Sequence, residues 1–207
     1  MEEIAVFPPS ADFVSRANIS GYAAYEELYN RAADDPEAFW GDLAGRELAW
    51  FEKFRQVFEW QPPFAKWFTG GKLNASYNCL DRHIEAGHGD RVAFHFIGEP
   101  GDTQAVTYRD LHRRVCRLTN AMKRAGYKPG DRAVIYMPMV PELPVALLAC
   151  ARLGVTHSVV FGGFSSEALR FRIEDLEASL VLTADGGWRR GKEVHLKQTV
   201  DEALSEG

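Results

Sequence analysis

A chain of 207 residues with 46% hydrophobic content has ample material for one large core, which excludes a disordered or fibrous polypeptide. Its 24 Lys and Arg against 29 Asp and Glu leave a net charge of −5, without the overall basic field of a nucleic-acid binder. The acidic start MEEIAVFPPSADF lacks the basic region and apolar core of a signal peptide, and the most apolar run, PVALLACARLGV, is interrupted by Arg152; neither a leader nor a membrane span is expected.

Residues 1 to about 20, with Phe7-Pro8-Pro9, read as an extended arm. From Gly21 to Phe51 the spacing of Tyr22, Tyr25, Leu28, Tyr29, Phe39, Trp40, Leu43, Leu48 and Trp50 predicts amphipathic helices broken at Asp35-Pro36 and near Gly45. Their aromatic side chains could cage a ligand, but packing is the commoner use. WQPPFAKWFTGG continues the aromatic series, with Pro and Gly so placed that no regular element is expected.

Leu73 to Gly89 contains a helix over CLDRHIEAG, stopped by Gly87. Arg91–Ile97 alternates as a strand, Gly98–Asp102 is a turn cluster, and Ala105–Tyr108 returns as the second strand of a hairpin. Thr107 with Asp110 resembles a capping box that opens a helix from Tyr108 to Ala125, with Leu111, Val115, Leu118 and Met122 inward and Gly126 as its stop. Lys128–Asp131 is a turn, Arg132–Met137 a buried strand ending at Pro138, and Pro141 opens a nearly apolar helix closed by Gly154. Val155–Phe161 is a second strand. It ends at Gly162-Gly163, where Ser165-Ser166-Glu167 opens a helix with Leu169, Ile173 and Leu176 on one face, and Leu180–Thr183 is a third strand. The order β-α-β-α-β predicts an α/β fold with a mostly parallel sheet covered on both faces.

The second and third of these strands end at glycine turns, Gly162-Gly163 and Asp185-Gly186-Gly187, and parallel strands place both turns at one edge of the sheet. Ligands bind at that edge in open α/β sheets, because glycine lets backbone N–H groups approach a phosphate. Arg189, Arg190 and Lys192, immediately after the second turn, would supply counter-charge; the same residues also read as an ordinary solvated loop. Cys79, Cys116 and Cys150 are odd in number and widely spaced, which speaks against a disulfide framework and for a reducing cytoplasm. Cys150 falls on the apolar helix face LLACARL and reads as a small core residue. His83, His88 and His95 near Cys79 match no closed zinc pattern, so no metal site is expected.

Three runs, WFTGGKLNASYNCLDRH, GDRAVIYMPMVPELPVALLACARLGVTHSVVFGGFSSEAL, and TADGGWRRGK followed by LKQTVDEAL, together resemble the N-terminal portion of the AMP-forming acetyl-coenzyme A synthetases. These belong to the adenylate-forming superfamily of acyl-CoA synthetases, luciferases and peptide-synthetase adenylation domains. The resemblance runs from about Phe7 onward. It implies an aromatic-rich helical extension over residues 1–75 and an incomplete first part of the AMP-binding large domain over 76–207. It also implies a parent acetate–CoA ligase, in which acetate and ATP give acetyl-adenylate and diphosphate and coenzyme A then displaces AMP, with Mg2+ as the expected ion.

On the same resemblance, the Gly162-Gly163 turn and the loop Arg189, Arg190, Gly191 and Lys192 line the site of the coenzyme A nucleotide. Arg189 and Lys192 would contact phosphate or adenine, and Gly163 would permit close backbone approach. The superfamily's phosphate loop, acyl pocket, ribose-binding acid, hinge and catalytic Lys are not found in these residues, nor is any G-x-x-x-x-G-K-[ST]. No catalytic residue and no Mg2+ ligand is therefore expected here. The remainder of a synthetase chain is the expected partner, with no nucleic acid and no membrane. With that machinery missing, a piece inert on its own is expected, and the ending LKQTVDEALSEG, which reads as the middle of a family helix, favours a truncated synthetase over a free-standing module. The alternatives are a free-standing coenzyme A-binding or interaction module, and a part of a propionate- or other short-acid-activating synthetase.

Overall fold

The computed structural model describes residues 7–205; the first six residues of the expected arm, and Glu206 and Gly207 of the terminal run, lie outside them. The chain forms two compact units, one ending at Lys72 and one beginning at Leu73.

In the first unit the arm is not wholly extended. A short helix α1 (Ala11–Arg16) forms where Ser10 Oγ accepts the Phe13 N–H at 3.3 Å, a cap that the extended reading of the arm did not include. Helices α2 (Tyr22–Asp34) and α3 (Pro36–Glu47) meet at the expected break, where Asp35 caps α3 through the Ala38 N–H at 2.9 Å and Pro36 takes the first helical position. Leu48, Trp50 and Phe51 do not extend the helical pattern. The Trp50 indole N–H instead donates to the Ala44 carbonyl at 2.9 Å and folds the chain back at the end of α3.

WQPPFAKWFTGG is a regular element after all. Strands β1 (Gln56–Gln61) and β2 (Phe64–Thr69) pair antiparallel with Gln61 opposite Phe64. Pro62 and Pro63 fall in the two loop positions, where a missing N–H costs the ladder nothing. Trp50, Phe54 and Phe68 cluster with ring centroids 5.1–5.7 Å apart, and Phe58 meets Trp67 at 4.4 Å. Tyr22, Tyr25, Tyr29 and Trp40 remain largely exposed on α2 and α3.

The second unit opens with a helical segment whose wide turns cover Tyr77–Asp81 and Ile84–His88, with Gly87 at φ 81°. The hairpin of β3 (Val92–Ile97) and β4 (Thr103–Thr107) leads into α4 (Tyr108–Arg124), which Thr107 caps by accepting the Asp110 N–H at 3.1 Å. Strand β5 (Arg132–Met137), helix α5 (Glu142–Leu153), strand β6 (Thr156–Phe161), helix α6 (Ser166–Leu176) and strand β7 (Leu180–Thr183) follow in the expected order.

The sheet is parallel with β5 in the middle, order β6-β5-β7. That placement explains the all-apolar centre of β5, because a central strand is buried on both faces. Ala133 and Ile135 face α4 and α5 through Val115, Ala146, Ala149 and Cys150, whereas Val134 and Tyr136 face Leu169 of α6 and Leu196 and Val200 of the last helix. Burial pushes the Cys150 thiol up to about 11, so Cys150 behaves as the small apolar core group expected of it. The chain ends in a small hairpin, β8 (Gly187–Arg189) and β9 (Lys192–Val194), and helix α7 (Leu196–Ser205).

One polar network ties the helical segment to α4 and α5. Arg152 donates to both oxygens of Asp81 at 2.6 and 2.8 Å, and His112 Nε2 lies 3.2 Å from Asp81 Oδ1. Burial raises the Asp81 carboxyl, but the Arg152 hydrogen bonds and charge, with His112, outweigh it and hold the group below the usual carboxylate range. A depressed folded-state value stabilises the fold above the unfolded Asp value of about 3.9, and that stabilisation is lost as pH falls through the folded value. Urea midpoints should therefore show a gap between wild type and Asp81→Asn that is constant from pH 7 to about 5 and closes below about pH 4. A gap that persists unchanged at the lowest pH would remove the ion pair from the account.

Candidate functional site

The carboxyl ends of β5 and β6, and the turn that follows β7, lie at one edge of the sheet, as parallel pairing requires. A cavity of about 770 Å³ opens there. Its walls are Met137–Val140 at and after the end of β5, Phe161 and Gly162 at the end of β6, Asp185–Arg189 after β7, Glu193–Leu196, and Phe96–Pro100 with Asp102 from the end of β3 and the β3–β4 turn. The volume is that of a small-molecule site.

The Gly162-Gly163 turn is fixed from below by Tyr136, whose hydroxyl donates to the Phe164 carbonyl at 3.0 Å, and it is followed by the N-cap Ser165, which accepts the Ala168 N–H. Each glycine here has a spatial reason. A Cβ at Gly162 would press on Leu196 at 3.0 Å, and one at Gly187 would lie 2.6 Å from Pro138 Cβ, so these turns pack against their neighbours as bare backbone. At Gly163 a Cβ would overlap the Arg189 guanidinium. The close approach that the sequence suggested for a ligand is thus made, in this structure, by the protein's own arginine.

Arg189 lies with its guanidinium 4.8 Å from the centroid of the Phe161 ring, a cation–π contact that holds the charge over the turn. Phe161 meets Phe164 edge-on at 6.5 Å, and Arg172 lies 4.4 Å over Phe164, so two cations flank two rings.

The run Arg189-Arg190-Gly191-Lys192 is a hairpin rather than a loose loop. Arg189 pairs with Lys192 across β8 and β9, and Arg190 and Gly191 form the two-residue turn with φ of 53° and 72°. Positive φ at both central residues is what a type I′ hairpin turn demands. Gly191 adopts it freely; Arg190, a branched-free but non-glycine residue, adopts it at a cost of order 1 kcal/mol. The Gly191 N–H donates to the carboxylate of Glu99, in the β3–β4 turn.

All five residues singled out from the sequence, Gly163, Arg189, Arg190, Gly191 and Lys192, therefore sit at one end of the sheet, with Gly163 touching Arg189 and the other three completing the hairpin. Phe161 and Glu99 were missed. An aromatic just before a Gly-Gly turn was the available signal for Phe161, while Glu99 sat in a turn cluster with nothing to link it to a residue 92 positions away. Trp188 is half exposed on the cavity wall. Among the described residues no three His, Cys, Asp or Glu side chains come together as metal ligands, and no helix is long and apolar enough to cross a membrane.

Comparison with known proteins agrees with this architecture. Residues 25–79 match the family model described as Acetyl-coenzyme A synthetase N-terminus, and residues 80–206 that described as AMP-binding enzyme. The chain is 55% identical over 98% of its length to an acetyl-coenzyme A synthetase of Mycolicibacterium smegmatis, of which it covers 21%. It is 51% identical over its whole length to one of Streptomyces avermitilis and 47% identical over 99% of its length to one of Chlorobaculum tepidum, covering 31% of each. The chain thus spans a fifth to a third of the relatives it matches, as an N-terminal part of them. With the family model spanning the parallel sheet and the cavity at its edge, the chain belongs to the family of AMP-binding enzymes.

Proposed function

We propose that this chain is an N-terminal part of an acetate–CoA ligase that forms acetyl-CoA, AMP and diphosphate from acetate, ATP and coenzyme A through acetyl-adenylate. Within it, residues 1–75 are the extension and 76–207 the first part of the adenylate-forming domain. Its role is to supply the surface for the nucleotide end of coenzyme A, and by itself it is inert. The observation that carries the reading is Arg189, which lines the cavity, packs against Gly163 and begins the hairpin that Arg190, Gly191 and Lys192 complete.

Coenzyme A carries a 3′-phosphate and a diphosphate. The planar fork of Arg189 suits such oxygens and its face suits adenine, Lys192 and Arg190 add charge, and Gly191 adds a backbone donor. Mg2+ serves the whole enzyme through residues elsewhere. Three free cysteines, one exposed, one half-buried and one buried, support a reducing cytoplasm as the compartment.

Calorimetric titration of coenzyme A into the 207-residue chain, beside an ATP–pyrophosphate exchange assay with acetate, tests both halves. Binding without exchange is the expected outcome. Exchange activity would overturn the inert reading, and the absence of coenzyme A binding would overturn the site.

A further inference from the structure

In a two-residue hairpin the residues that flank the turn spend their backbone groups on each other, and the N–H of the second turn residue points out of the ladder. Here that donor is Gly191, and it is not left to solvent: the carboxylate of Glu99, from the turn between β3 and β4, accepts it. Arg190 and Lys192 are the residues on either side of Gly191 in the hairpin. A negatively charged oxygen thus already holds the backbone donor of a turn in which Arg190 precedes and Lys192 follows Gly191. Glu99 also lines the cavity beside Arg189.

We propose that Glu99 is an internal counter-anion of the Arg190-Gly191 turn, which a phosphate group of the incoming ligand displaces, so that Glu99 sets the affinity of this hairpin for phosphate. This rests on the reading of the hairpin as the coenzyme A phosphate surface. The carboxylate brings one charge and competes for the Gly191 N–H; a phosphate brings more charge and more acceptor oxygens, and can engage the N–H and both cations together. Before the ligand arrives, Glu99 keeps the turn assembled. Once it arrives, Glu99 must leave, and its charge then stands against the ligand as a like charge.

The test titrates the 207-residue chain with two probes, coenzyme A and inorganic pyrophosphate, by calorimetry and by the Gly191 amide resonance. Four proteins are compared: wild type, Glu99→Gln, Glu99→Ala, and Asp102→Asn, which removes a neighbouring charge from the same turn without touching Gly191. Removing Glu99 should tighten both probes by about three- to tenfold, the range for one competing hydrogen bond, with Gln between Ala and wild type and Asp102→Asn near wild type. The Gly191 resonance of wild type should move on adding pyrophosphate toward a new bound position, and in Glu99→Ala it should start from a different free position.

Unchanged or weaker binding in the Glu99 variants would overturn the proposal, as would equal tightening by Asp102→Asn, which would reduce the effect to diffuse charge. Tightening toward pyrophosphate with no response to coenzyme A would keep the counter-anion and remove the coenzyme A reading. Coenzyme A binding that is indifferent to residue 99 would do the reverse, and silence toward both probes in all four proteins would remove both.

Discussion

Arg189→Ala, introduced into the whole synthetase proposed to contain this chain, is expected to raise the KM for coenzyme A by about 10- to 150-fold while those for ATP and acetate stay within about twofold. The figure follows from a charge-assisted hydrogen bond, worth about 1.5–3 kcal/mol when its partner is lost, at about 1.4 kcal/mol per tenfold. Arg189 is suited to so large a share because its guanidinium is already placed. The Phe161 ring lies 4.8 Å beneath it and Gly163 leaves room beside it, so little side-chain freedom remains to be lost on binding. Gly163→Ala should reproduce part of the defect with Arg189 still present, because a methyl group there displaces the guanidinium. Equal rises in all three KM values would instead report a damaged fold, and would count against a coenzyme A role for Arg189.

Leu169→Ala is expected to lower stability by about 2–5 kcal/mol, the usual range for truncating a fully buried aliphatic residue. Leu169 is completely buried on the inner face of α6, among Val134, Tyr136, Val160 and Leu196. These residues come from β5, β6 and α7, so the void would open where the sheet and two helices meet and no single side chain could fill it. Chemical denaturation at fixed pH would measure the loss, with Val159→Ala on the exposed side of β6 as the control expected to cost under about 1 kcal/mol. Comparable losses at the two positions would show that α6 does not pack as described. Because α6 follows directly on the Gly162-Gly163 turn, Leu169→Ala should also weaken coenzyme A binding, and cooling the variant back into its folded range should restore it.

The strands and helices of the second unit were legible because their signals are local. Thr107 and Ser165 each offer a side-chain oxygen to an N–H three residues on, Gly154 closes α5 with φ of 80°, and the unbroken apolar run of β5 announces a strand covered on both faces. The first unit was harder. Two adjacent prolines read as a break, when they were the turn of the β1–β2 hairpin, and the register that places them there depends on pairing between strands that no single window contains. Leu48 and Trp50 kept a helical spacing, yet the Ala44 carbonyl, accepting the Trp50 indole N–H, turned the chain away.

At the site the division is the same. Composition, glycine turns and strand order were enough to determine an α/β fold with its glycine turns at one edge of the sheet and the run Arg-Arg-Gly-Lys directly after the second of them, because strand polarity and backbone sterics follow from residue type and order. Which contacts those residues make was decided only in three dimensions. Arg189 on Phe161 and against Gly163, and Glu99 on Gly191, join residues between 26 and 92 positions apart, and such pairings arise from how sheet, turns and hairpin close on one another rather than from any local preference.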